Sequence, residues 1–181
     1  MTVALLVIDV QEEALEGCPD AAGLLGRIND LSRRAGAAGV PVIFVRHEGV
    51  DGELVRDSPG WQFAAGLERD EGSHIVEKTF RDAFAHTELA ALLERLGVRR
   101  LVVAGIHSDF CVQTTALSAL IQGYDIALVS DGHATRPEPG GAPIPAEAIQ
   151  AFITSRFSTL RYPGRTIEVL PAAEAAELLA E

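Results

Sequence analysis

The sequence predicts an α/β protein: a three-layer αβα sandwich around a central, mainly parallel, six-stranded sheet. Three observations lead there. Short runs rich in β-branched and other apolar residues alternate with segments of helical periodicity. The runs are apolar at successive positions, so both faces of each strand are covered, which is the mark of a parallel sheet under helices. Gly39, Gly97 and Gly123 each close a helical segment just ahead of the next run.

Taken in order, Val3 to Ile8 is the first buried strand. Leu24, Leu25, Ile28, Leu31 and Ala35 recur at helical spacing. Val40 to Val45 is the second strand, and Ile75-Val76 the third. Between them, Arg46 to Ser73 is polar and punctuated by Gly and Pro. A connection this long in a compact domain reads as a lid or wall of a site. Leu89, Leu92, Leu93 and Leu96 mark a helix, Leu101 to Ala104 a strand, and Val112 to Gln122 a helix. Ile126 to Val129 is a strand, Ala146 to Phe157 a helix, Thr166 to Val169 a strand, and Pro171 opens a last helix. With no repeat, low-complexity tract or linker, residues 1–181 read as one domain.

Hydrophobic residues make up 48% and charged residues 23%, and the formal net charge is -11. Nucleic acid and an anionic membrane surface both need a basic patch, so neither is expected as a partner. The start has no basic n-region, and its apolar run stops at Asp9. Neither a signal peptide nor a membrane span is expected, and the expected location is cytoplasmic. Cys18 and Cys111 are too few for a disulfide framework, and no close Cys/His pairing suggests zinc.

Ligands of open parallel sheets bind beyond the carboxyl ends of the strands. Asp9 closes the first strand, Lys78 follows the third, and Gly105 to Cys111 leave the fourth. Cys111 stands at the start of a helix, where free N–H groups and the helix dipole favour a thiolate, and a thiolate attacks carbonyl carbon. Asp9 is placed to act as base and Lys78 to lower the thiol pKa and hold Asp9. Each residue also has a plainer reading: Cys111 as a small buried hydrophobe, Asp9 as a turn residue, Lys78 as a solvated charge. Cys18, in the acidic turn Glu16 to Pro19, reads as non-catalytic.

Several segments taken together resemble the isochorismatase-like cysteine hydrolases, a family that includes nicotinamidases and carbamoylsarcosine amidohydrolases. They are Leu5 to Gln11, Ser58 to Trp61, Val76 to Lys78 with Ala83 to Leu89, Val102 to Val112, and Gly123 to Asp125 with Val129 to Asp131. The resemblance implies a Rossmann-like fold, a catalytic triad of Asp9, Lys78 and Cys111, and an acyl-cysteine intermediate. It implies a cis Ile106–His107 peptide that turns the His107 N–H toward the nucleophile. An oxyanion hole would then be made by the His107 and Cys111 N–H groups. It further implies a small amide, carbamoyl or ureido substrate and a homo-oligomer, dimer or tetramer. The second reading is a catalytically weak member that binds a ligand or works in thiol redox.

Departures from the family pattern sharpen this. Nicotinamidases carry a D-x-H metal motif where this chain reads Val45-Arg46-His47-Glu48, with Arg46 in place of the aspartate, and the loop to Gly72 holds no further histidine. No metal and no cofactor is expected, nor is nicotinamidase activity. Many relatives have an aromatic residue where this chain has Ala14, so a wider pocket is expected. The candidate substrate-binding residues are Gln11, His47, Trp61, His107, Phe110 and His133. The plainer readings are a structural histidine for His47, a core plug for Trp61 and a turn histidine for His133. Asp82 replaces a serine after the lysine, and the Pro/Gly-rich stretch from Arg136 to Pro145 is placed either to cover the site or to meet a neighbouring subunit.

Overall fold

The computed structural model describes residues 2–50, 52–137 and 143–180. The chain builds β1 (Val3–Ile8), α1 (Glu12–Leu15), α2 (Ala21–Ala37), β2 (Val42–His47) and β3 (His74–Lys78). It continues with α3 (Leu89–Arg95), β4 (Arg100–Ile106), a single π-helical turn (Ser108–Val112), α4 (Gln113–Ile121) and β5 (Asp125–Ala134). The last elements are α5 (Ala146–Thr159), β6 (Ile167–Leu170) and α6 (Ala172–Leu178). All six strands pair in parallel, so the sheet is parallel throughout rather than mainly so.

Alternation along each strand divides the core in two. Val3, Leu5 and Val7 join Phe44, Val102 and Ala104 under α2 and α6. Ala4, Leu6 and Ile8 join Ile43, Val45, Val76 and Val103 under α3, α4 and α5. Two apolar layers, one on each face, give the αβα sandwich and explain why the strands read as continuous apolar runs.

The strand order is β3-β2-β1-β4-β5-β6. The chain winds outward from β1 in one direction and then restarts at β4 in the other. The carboxyl ends of β1 and β4 therefore flank the crevice where the order reverses, the usual ligand position in such sheets. Asp9 leaves β1 with φ of 52° and the Asp9 carbonyl accepts the Gln11 N–H at 2.8 Å. That left-handed residue turns the chain off the sheet at the crevice, a conformation that Asp tolerates better than most.

Gly105 makes the crevice narrow. Its φ is 128°, and a Cβ there would lie 2.1 Å from the Ile8 carbonyl oxygen. β4 and β1 approach this closely only because residue 105 has no side chain. Gly105→Ala should cost about 3–5 kcal/mol, through backbone collision and a strained φ together. Urea unfolding of that variant measures it.

Candidate active site

Three strand ends deliver the three candidate side chains to the crevice. Asp9 follows β1, Lys78 is the last residue of β3, and Cys111 lies in the π-turn after β4. All three are buried. Lys78 Nζ lies 2.7 Å from Asp9 Oδ2 and 3.2 Å from Cys111 Sγ. It also lies 3.1 Å from the Phe80 carbonyl and 3.1 Å from His47 Nδ1. Asp9 Oδ1 is buried without a hydrogen-bond partner among the described residues, which leaves it as an unused acceptor beside the thiol.

The thiol rests in its neutral form. Burial, and next the Asp9 carboxylate, push Cys111 up to about 12, against the opposing pull of the Lys78 ammonium. The sequence-based expectation of a helix-stabilised thiolate is therefore corrected. α4 begins two residues later, at Gln113, and the loss of hydration outweighs any dipole. The acceptor adjacent to the thiol is the Asp9 carboxylate.

Burial also lowers His47 to about 4, with the Lys78 charge as the next cause. A neutral His47 accepts from Lys78 through Nδ1 and so carries its proton on Nε2. An imidazole spent on an ammonium is a poor metal ligand. Among the described residues no three His, Cys, Asp or Glu side chains gather as a metal-binding group. Arg46, at the other position of the departed motif, lies 3.5 Å over the Trp61 ring and pairs with Glu77.

A cavity of about 390 Å³ opens onto Cys111. His47, His107 and Ala14 line it together with Glu13, Glu53, Leu54, Phe80, Arg81 and Arg136. The Ile106–His107 peptide is cis. The His107 ring lies 2.8 Å, through Nε2, from the Ala14 carbonyl and so occupies part of the space beside Ala14.

Four expected pocket residues do not line this cavity. Gln11 is fully buried and clamps the excursion to the sheet: Nε2 donates to the His47 and Trp61 carbonyls, each at 2.8 Å, and Oε1 accepts the His47 N–H at 2.7 Å. Trp61 is 4% exposed and covered by Arg46, so its core reading holds. Phe110 packs under the Arg81 guanidinium at 4.1 Å. His133 is 0% exposed and bonded within the core. Asp82 leaves Lys78 alone and accepts the Phe84 N–H at 2.9 Å. Cys18 donates to the carbonyl of Ala14 at 3.6 Å, behind that lining residue, and does not itself line the cavity.

Lining residues from the excursion and from Arg136 escaped the sequence reading, although the excursion's length did mark it as a wall. Of the Pro/Gly-rich stretch, residues 138–142 lie outside the described residues, and Arg136 reaches the cavity while donating to the Glu13 carbonyl at 3.1 Å.

His47 and His133, both held near 4 by burial, are neutral when folded but take up protons near 6.5 when unfolded. Their contribution to stability is full above about 6.5 and is lost as pH falls toward about 4. Urea midpoints should therefore drop across that window, and less steeply in a His133→Asn variant.

A family model described as the isochorismatase domain matches residues 3–143. Two streptothricin hydrolases from Streptomyces noursei are 37% and 36% identical over 98% of the chain, which spans 65% and 71% of their lengths. Nicotinamidase 3 from Arabidopsis thaliana is 30% identical over 73% of the chain and 73% of its own length. Among solved structures, an isochorismatase from Pseudomonas putida superposes with a TM-score of 0.83 at 33% identity, covering 96% of this chain and 89% of that one. The N-carbamoylsarcosine amidase of Thermoplasma acidophilum shares the fold, with a TM-score of 0.77 at 23% identity over 95% of this chain and 97% of its own. The chain belongs to the isochorismatase family of hydrolases.

Proposed function

We propose that the protein is a cysteine hydrolase that cleaves a C–N amide-type bond of a small molecule through an acyl-cysteine intermediate. The observation that carries this reading is the buried contact set of Lys78 with Asp9 and Cys111 at the floor of the cavity. A volume of about 390 Å³ suits a small ligand rather than a polymer segment.

In this reading Cys111 Sγ attacks the amide carbon while its proton passes to Asp9. Lys78, in contact with both groups, keeps the carboxylate in place and offsets negative charge developing on sulfur. The His107 and Cys111 N–H groups take the oxyanion, and such preorganised donors are commonly worth about 3 kcal/mol of barrier. The proton on Asp9 moves to the leaving nitrogen and the amine departs. Asp9 then takes a proton from water, the hydroxyl adds to the thioester carbon, and expulsion of the sulfur, reprotonated from Asp9, frees the acid. A thiol-redox role would call for a second thiol, and Cys18 does not line the cavity.

Streptothricin is the first substrate to try, because the two Streptomyces hydrolases match nearly the whole chain. Products whose masses sum to the substrate plus one water, in mass spectrometry, are the expected result. Other amide, carbamoyl and ureido compounds complete the panel.

Cys111→Ala should abolish turnover while leaving the fold intact. Asp9→Asn should lower kcat by at least about a hundredfold, since an amide cannot shuttle the proton. Lys78→Ala should slow acylation and also destabilise the fold by about 3–5 kcal/mol, because it leaves Asp9 buried without its cation. Near-normal rates in all three variants would remove the triad from the mechanism. An acyl adduct on Cys111, trapped by acid quench and located by peptide mass mapping, is the direct test.

Ala14→Phe should narrow the cavity that Ala14 lines. Large substrates should lose kcat/KM far more than small ones, beyond the overpacking cost of about 1–3 kcal/mol in stability that a larger side chain at this buried position carries. Equal slowing of both classes would show that the wall at position 14 does not select by size.

A further inference from the structure

β5 does not run straight. Along the β4–β5 pairing β4 advances two residues, from Val103 to Gly105, while β5 advances five, from Leu128 to His133. Residues 129–132 therefore stand opposite Ala104 alone, a bulge in the pairing with β4, although Val129 still pairs with Leu170 of β6. The bulge is tied down on both flanks: Asp131 Oδ1 accepts the Ala172 N–H at the start of α6, at 2.7 Å, and the Asp131 carbonyl accepts Arg27 Nε at 2.7 Å. Its effect is to set His133 opposite Gly105, directly behind the turn that carries the nucleophile.

There His133 is one link in a directed chain. The Thr154 hydroxyl donates to the Gln150 carbonyl at 2.9 Å, so Thr154 Oγ1 is left to accept from His133 Nε2 at 3.1 Å. With its proton on Nε2, the neutral imidazole presents Nδ1 as an acceptor, and Ser108 Oγ lies 2.8 Å from it. Ser108 and His133 are both fully buried, so water is no substitute partner. Ser108 sits between His107 and Asp109, and each of these is held from another direction. His107 reaches the Ala14 carbonyl at 2.8 Å, and Asp109 Oδ1 accepts the Thr135 hydroxyl at 2.6 Å.

We propose that His133 is a positioning residue for the acyl-transfer reaction: by accepting the Ser108 hydroxyl it fixes the 107–111 turn, and with it the His107 and Cys111 N–H groups and the sulfur. The assignment rests on the acyl-cysteine reading above. It replaces the sequence-based expectation that His133 touches substrate, because His133 does not line the cavity. The bond that matters is the one to Ser108. An asparagine at 133 keeps an acceptor at the Nδ1 position, whereas a leucine removes it.

The test uses the full chain and 4-nitrophenyl acetate, an activated acyl donor, with the Cys111→Ala rate subtracted. His133→Leu and Ser108→Ala should each lower kcat roughly tenfold to a hundredfold with KM changed less than about twofold, as for a small misplacement of reacting groups. The double variant should be no slower than the worse single one, since both remove the same bond. His133→Asn should restore most of kcat even though it loses the Thr154 bond and melts earlier. Wild-type kcat in Ser108→Ala, or kcat losses that simply follow melting temperature across the three variants, overturns the assignment. A change confined to KM overturns it in favour of substrate contact. A wild-type enzyme with no Cys111-dependent release overturns the acyl-cysteine reading itself and this assignment with it.

Discussion

The buried ion pair between Asp9 and Lys78 is the constraint from which the rest of the site follows. Their side chains are 4% and 0% exposed and 2.7 Å apart. Stripping water from two such charges costs several kcal/mol per ion, and mutual attraction offsets that only with good geometry and further hydrogen bonds. The surroundings supply those bonds. The Phe80 carbonyl and His47 Nδ1 both reach Lys78, and His47 does so only as a neutral imidazole. Because β2 lies between β1 and β3, Lys78 meets Asp9 across the end of β2, which is where His47 stands. The sheet order, the left-handed turn at Asp9 and the uncharged histidine thus belong to one arrangement.

The same desolvation acts on Cys111. It favours the thiol form beside the Asp9 carboxylate, and a thiol is less readily oxidised than a thiolate. The ion pair is then more than a structural element. Lys78 holds Asp9 in place in a dry crevice, and Asp9 Oδ1 has no hydrogen-bond partner among the described residues.

Much of the fold was readable because its signals are local. Six apolar runs became six strands, and the glycines at 39, 97 and 123 fall just after helices α2, α3 and α4. Asp9, Lys78 and Cys111 were legible because a polar residue just past a buried run has few places to go except the crevice. What escaped depends on distant partners. The bulge in β5 is a matter of register against β4, and its sequence is unremarkable in isolation. Gln11, Trp61 and His133 are polar or aromatic residues near the site in sequence, so they read as pocket lining. The structure spends Gln11 and His133 on buried hydrogen bonds and Trp61 under Arg46, which composition cannot reveal. The short helix α1 is too brief to carry a periodic signal, and Ala14 within it was noticed only by comparison with a family pattern.

The excursion between β2 and β3 divides its labour. Gly49, Val50, Glu53 and Leu54 face the cavity, whereas the stretch from Trp61 to Glu68 is pinned to the body by Gln11 and by Asn29, which bonds the Gly66 carbonyl and the Glu68 N–H. Cavity lining and structural anchorage therefore fall to different residues of one loop. Such a loop is free to drift at its tip without disturbing the ion pair, so new ligand preferences are reachable in small steps. A single scaffold with an unchanging reaction centre can in this way supply a family of divergent specificities.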